Sequence, residues 1–545
     1  MKWKLEVNHK ILIRLLVVLI LLVIGYGIEC AFFKPTALNR YIASNIYKTP
    51  ANSAFHDDKF YQCVVDRYNS DNHTSIPYTT SLTDSQLGKI KKLSCQEKSI
   101  TDASGLEKLT ALEYLYVNNN QLTSLDVSNN TSLTWLDVYR NQLTNLDVSK
   151  NISLTWLDVG DNKLSSLDVS QIEHLRVLYV YGNQLMNLDV SKNLALESLN
   201  VASTSLTNLD VSSNIALGQL SVSSTQLTNL DVSNNTALSA LTAENTQLAN
   251  LDLSKNTKLR DLWIRNNGQL TNLDVSGAIE LWRVYAFNSR LTNLDVSNNT
   301  ALQELSVDSN QLTNLNVSGA TALTKLDVHK NQLTNLDVSN NTALQELSVD
   351  NNQLINLNVS GATALKELVA YNNQLTNLDV SKNTALTSLD VNNNQLTSLD
   401  VSKNIALTSL KVYKNKLTNL DVSKNLALTE LNVYNNQLTS LDVSKNTALT
   451  GLNVSANQLT NVDVSKNTAL KELYANLIQL TNLDVSNNTA LTKLVAYENQ
   501  LANLDVSNNT ALTELSVNKN QLTNLDVSNN TALTKLVAYE NQLAN

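Results

Sequence analysis

From Leu112 onward one hydrophobic phrase, LxxLxVxxNxLxxLDVSxNxx, recurs with a period of 21 residues. Units open at Leu112, Leu133, Leu154, Leu175, Leu196 and so on to Leu533, giving 20 complete units and a partial one. Only the unit opening at Leu259 is longer, by one residue near Gly268. A divergent 22-residue unit precedes them, through Ile90, Leu93, Cys95, Ile100, Leu106 and Leu109. The second regular unit places six aliphatics inward: Leu133, Leu136, Val138, Leu143, Leu146 and Val148. So short a segment cannot bury six aliphatics alone, so units must stack and share one core. The LxV alternation predicts a strand in each first half, and successive strands then align as one parallel ladder about 100 Å long. The second half, rich in Thr, Asn, Asp and Ser, disfavours helix and predicts a short extended or turn segment on the opposite side. The Asn closing each first half (Asn120, Asn141, Asn162, Asn183) is suited to hydrogen-bonding turn backbone.

Ahead of the array the pattern changes. Phe60, Val64, Val65 and Tyr68 fall on a helical stripe, and Thr83-Asp84-Ser85-Gln86-Leu87 reads as a second, capped helix start. A small helical cap here would cover the open first unit. The chain therefore divides into 1–33, a signal or membrane anchor; 34–55, a linker; 56–111, the cap plus the divergent first repeat; and 112–545, the array. Lys2, Lys4, Lys10 and Arg14 precede the apolar run Leu15–Ile28, an arrangement that directs the rest of the chain to export. A cleaved signal fits the short apolar core and Gly25-Tyr26-Gly27. An uncleaved anchor fits the 19 residues from Leu15 to Phe33, close to the ~20 that span a bilayer, and is favoured. Export would leave Cys63 and Cys95 in an oxidising compartment, able to pair.

Composition narrows the function classes. Three Pro and 12 Gly are too few to punctuate several conventional domains. A net charge of −9 lacks the basic face that nucleic-acid binding needs. His9, His56, His73, His174 and His329 show no ligand spacing, so no metal site or cofactor is expected. Asp recurs in LDVS in 18 of the 20 units, with Asn316 and Asn358 the exceptions. Such stacked carboxylates invite a calcium reading. However, the glycine-rich calcium-repeat phrase is missing and Lys150, Lys192 and Lys382 lie nearby, so a solvated or Ser-bonded ladder is expected. No nucleophile–base set or phosphate loop stands out from the repeat, and no enzyme is expected.

Variable residues at positions 3, 5, 7 and 8 of each unit flank the strand and face the concave side. Tyr114, Tyr116, Trp135, Tyr139, Trp156, Tyr179 and Tyr181 form a belt there over the first four units. Trp263, Trp282, Tyr285 and Phe287, with Arg265 and Arg283, form a second cluster, and four of the five Trp are read into strand segments. Exposed aromatics and Arg are enriched in binding hot spots. Aromatics also favour strands and stack along ladders for structural reasons alone, the reading given to Tyr371, Tyr413, Tyr434 and Tyr497. Near the second cluster the Asn column fails, through Thr204, Thr225, Thr246, an inserted residue near Gly268, and Ser289. Either a local change of curvature or a drifted junction between duplicated blocks would produce this.

The repeat phrase, the cap-like segment and the stretch Asp102–Leu112 (DASGLEKLTAL) resemble bacterial leucine-rich-repeat surface proteins of the internalin type, over about residues 56–545. The resemblance implies a curved leucine-rich-repeat solenoid with one long parallel β-sheet on its concave face. It also implies export, and adhesion to or recognition of another cell's surface. The family's column of cysteines is missing from this array, and no LPxTG-type wall-sorting motif is present. Residues 480–503 and 522–545 are identical, and the sequence stops within a unit. The expected function is binding of a protein or glycan on another surface through the concave face. The alternatives are a passive surface-layer spacer, or the non-catalytic part of a longer surface protein that continues past Asn545.

Overall fold

The computed structural model describes residues 54–543. The N-terminal segment 1–33, read as signal or anchor, lies outside the described residues. Among the described residues no helix is long and apolar enough to cross a membrane.

The regular units fold as the LxV alternation predicts. Each first half contributes one three-residue strand, as in β1 (Lys92–Ser94), β2 (Tyr114–Tyr116), β3 (Trp135–Asp137) and β4 (Trp156–Asp158). Twenty-two such strands, ending at β28 (Lys535–Val537), pair in parallel as one sheet. The register puts equivalent residues opposite one another, Leu115 beside Leu136 and Leu136 beside Leu157. The central residue therefore points into a continuous aliphatic core while its two neighbours face out. Leu136, with rungs on both sides, is 0% exposed, whereas Leu536 in the final rung is 46% exposed. The same residue type in the same position is buried only where two neighbours cover it, as in other repeat arrays.

After each strand the chain turns through a left-handed residue, such as Asn119 (φ 56°), Arg140 (φ 54°) or Asp161 (φ 47°). The buried Asn just beyond it ties the turn to the previous unit. Asn162 donates through Nδ2 to the carbonyls of Val138 and Val159, and its Oδ1 accepts from the Leu143 N–H. A second buried column, unassigned from sequence, comes from the Asn of LDVSxN. Asn151 donates to the carbonyls of Val127 and Asn130, and Asn425 to those of Val401 and Asn404.

The second halves are extended, but pair only in the middle of the array. There β9 (Asn250–Asp252) pairs with β11 (Asn272–Asp274), β13 (Asn293–Asp295) with β15 (Asn314–Asn316), and β17 (Asn335–Asp337) with β19 (Asn356–Asn358). The later unit of each couple reads VSGA instead of VSxN, placing Gly277, Gly319 and Gly361 against the preceding unit. A Cβ on these glycines would stand 1.9, 1.7 and 1.7 Å from the carbonyls of Ser254, Ser297 and Ser339. Only a glycine admits so close an approach. The adjoining Ala278, Ala320 and Ala362 are fully buried in place of the second-column Asn.

This second ladder begins where the first Asn column weakens. Thr204, Thr225 and Thr246 hold that column, but Asn267 keeps it, donating to the carbonyls of Ala243 and Ile264. The inserted residue thus comes after the column position instead of interrupting it.

At the N-terminal end, α1 (Asp58–Asn72) buries Phe60, Tyr61, Cys63, Val64 and Val65 and packs on β1. Asp57 caps it by accepting from the N–H groups of Lys59 and Phe60. Its other oxygen accepts from the Thr101 N–H at 2.8 Å, which fastens helix to array. α2 (Asp84–Leu87) starts on a capping box formed by Thr83 and Gln86. A disulfide joins Cys63 in α1 to Cys95 just after β1, their Cα atoms 5.8 Å apart.

Candidate binding face

The ladder face presents two aromatic groups of different construction. In the first, Trp135 and Trp156 occupy the same position on adjacent rungs, and their rings stack 4.1 Å apart at 6°. Tyr116 tilts against Trp135 at 5.9 Å, and Tyr179 meets Trp156 edge-on at 5.4 Å. Further along the strands Tyr139 and Tyr181 come within 5.7 Å although a whole unit separates them. Gly160 makes this possible: a Cβ there would stand 2.5 Å from the Tyr181 ring. Tyr181 therefore leans back over Gly160 to reach Tyr139. Tyr114 stands exposed at the rim.

Enclosed between the Trp pair and the Tyr pair are two carboxylates that sequence reasoning did not single out, Asp137 and Asp158, opposed in the ladder register. Each is half-buried and accepts one backbone N–H, from Tyr139 and Gly160 respectively. Burial raises the Asp137 carboxyl. For Asp158, burial with the nearby charges of Asp137 and Asp161 outweighs the Gly160 N–H and pushes the pKa up to about 6. Burial chiefly, then the charge of Asp158, lifts the Tyr181 phenol in turn. No basic side chain of the chain pairs with Asp137 or Asp158 among the described residues. The sequence signal was the doubled WLDV ending at Gly160.

The second group is filled from within. Trp263 stacks on Tyr285 at 4.4 Å, and Tyr285 donates to Glu304. Arg265 lies over Phe287 at 5.7 Å and pairs with Glu244 at 2.8 Å. Arg283 lies 4.3 Å over Trp282 and pairs with Asp261 at 2.8 Å. Trp282 precedes its strand, Arg283–Tyr285, so among the described residues three and not four Trp lie in strands.

His329 has neighbours that linear spacing hid. Its Nδ1 lies 2.6 Å from Asp327 and its Nε2 3.5 Å from Asp308, one unit earlier. The recurrent Asp of LDVS is bonded by serine: Asp147 accepts from the Ser149 N–H at 2.8 Å, as does Asp400 from Ser402. Those serine bonds hold these carboxyls below the usual range. On the second face, a cleft between β15 and β17 is lined by Asn314, Asn316, Asn335 and Asp337.

A family model described as "Leucine Rich repeats (2 copies)" matches residues 89–130. Internalin J of Listeria monocytogenes serotype 4b is 35% identical over 80 residues, 15% of this chain. That match spans only 8% of the relative's length. Among solved structures, YopM from Yersinia enterocolitica WA-314 aligns with TM-score 0.58 and 23% identity, over 93% of this chain and 98% of that one. The plant peptide hormone receptor RGFR1, in complex with RGF2, aligns with TM-score 0.60 and 19% identity, covering 85% and 91%. The ladder and these alignments define the class: the chain is a leucine-rich-repeat solenoid. Within that class its sequence is similar to internalin J over those 80 residues.

Proposed function

We propose that this chain is a non-catalytic, extracytoplasmic recognition protein that binds a protein partner on another surface through its ladder face. The observation that carries the reading is the aromatic enclosure from Tyr116 to Tyr181, held on strands fixed by in-register pairing. Side chains already held in place lose little freedom on docking, so more of their contact energy remains for affinity. Support also comes from RGFR1, a solenoid of the same fold whose structure holds RGF2. The test is binding of the full chain to a panel of purified cell-surface proteins and glycans, with the Trp156→Ala variant in parallel. Saturable binding to a protein, lost in the variant, supports the reading. Binding only to glycans, binding indifferent to Trp156, or no binding across the panel overturns it.

A further inference from the structure

Resting on that reading of the ladder face, we infer that the enclosure around Asp137 and Asp158 seats a cationic side chain, an arginine guanidinium of the protein partner. Two half-buried carboxylates lie opposite each other on adjacent rungs, about 4.8 Å apart along the ladder. Both lie between Trp135 and Trp156, two residues before them on the strands, and Tyr139 and Tyr181, whose rings meet beyond them. Tyr116 and Tyr179 close the two ends. Aromatic rings attract a cation to their faces, and carboxylates attract it by charge. Lys92 lies 5.4 Å over the outer end at Tyr116, but no basic side chain pairs with either carboxylate among the described residues, so the acids are complementary to a cation brought from outside.

The chain itself holds one guanidinium between an indole and a carboxylate. In the second group Arg283 stacks on Trp282 while pairing with Asp261, which sits at a strand position one turn before it. Farther along, Asp390 has Lys411 on the adjacent rung to lower its charge cost. Asp137 and Asp158 stand out on this face because two acids adjoin and neither has such a neighbour. Arginine fits better than lysine because a flat guanidinium can stack on indole while its fork donates to two carboxylates at once.

The probe is the peptide acetyl-Gly-Arg-Gly-amide, titrated into the full chain by calorimetry at neutral pH. Its citrulline counterpart has the same shape without the charge. The arginine peptide should bind saturably and at least tenfold more tightly than the citrulline one. The double variant Asp137→Asn/Asp158→Asn should lose that preference. Asp400→Asn/Asp421→Asn removes the same net charge from the second face and should retain it. Circular dichroism verifies that both variants remain folded. No binding of the arginine peptide, equal binding of the two peptides, or unchanged binding in the Asp137/Asp158 variant overturns the inference. In those cases a surface protein that still requires Trp156 leaves the broader recognition reading standing. Loss of any Trp156-dependent partner brings that reading down separately.

Discussion

The rings of Trp135 and Trp156, one unit apart in sequence, lie nearly parallel at 6° and 4.1 Å on adjacent rungs. The contact is both a ladder stack and the longest wall of the enclosure. Its two roles separate by substitution. Trp156→Ala removes a ring pair worth roughly 0.5–1.5 kcal/mol beyond its buried area, while an anchor at the centre of an interface costs ~2 kcal/mol or more in binding. Leu157→Ala instead opens a cavity in the fully buried core, at ~2–5 kcal/mol of stability. Thermal melts should therefore rank the leucine change as far the more damaging, and partner binding should rank the tryptophan change first. A reversed order would make the belt a structural stack.

Asp158 should be a position where stability is given up. Its carboxyl titrates at about 6 in the folded chain, against an ordinary 3.8. The folded state thus holds this proton more tightly than the unfolded state. No penalty exists below about pH 3.8. It grows as pH rises through about 6 and is complete above that. Asp158→Asn should accordingly raise stability at pH 7.5 by on the order of 1–2 kcal/mol, allowing for partial solvent screening. At pH 3.5 the two proteins should melt alike. An equal shift at both pH values would point to packing and not charge.

The glycines of the second face allow a sharper steric test. Gly319→Ala would place a methyl group 1.7 Å from the Ser297 carbonyl and must push β13 and β15 apart. The Val296 N–H, which donates to Asn316 across that couple at 2.9 Å, should lose its protection from hydrogen exchange. The stability cost is expected at ~1–3 kcal/mol. Gly268→Ala is the matched control, since nothing lies within 4 Å of its Cβ position.

The buried Asn of the second column can be tested against the chain's own alternative. Asn425→Ala removes one of two donors from each of the carbonyls of Val401 and Asn404, which keep the N–H groups of Asn404 and Leu407, and should cost about 0.5–1.5 kcal/mol per lost bond. Adding Lys424→Gly recreates the VSGA phrase of the paired units. If glycine is what admits second-face pairing, the double variant should recover part of the loss in urea melts. Strict additivity of the two changes would refute that role.

The sequence made the ladder legible because its cause is local and repeated: Leu and Val at period two, every 21 residues, admit one arrangement. The cap was legible through Thr83 and Gln86, whose reciprocal bonds are written three residues apart. The second-face couples were not, because Gly319 matters only through its distance to Ser297 on the preceding turn. The enclosure was half legible. Its aromatics announced themselves, but Asp137 reads as one more aspartate in a chain full of them. Its register beside Asp158, and the missing side chain at Gly160 that lets Tyr181 lean back, set it apart. Trp282 was misplaced because it stands one residue ahead of its strand, directly after Leu281. His329 was passed over because its partner Asp308 is a turn away in the fold.

The pairing of the second halves also gives the solenoid an uneven mechanical character. Bending such an array lengthens one face and shortens the other. Over most of its length strand pairing joins the units on the ladder face alone, and elsewhere each step has isolated backbone bonds such as Gln142 N–H to the Leu122 carbonyl. Between Asn250 and Asn358 three couples are clamped on both faces, and flexing any of them must break backbone hydrogen bonds. Each couple should therefore be a stiff two-unit segment, with more compliant joints between the couples and on either side of them.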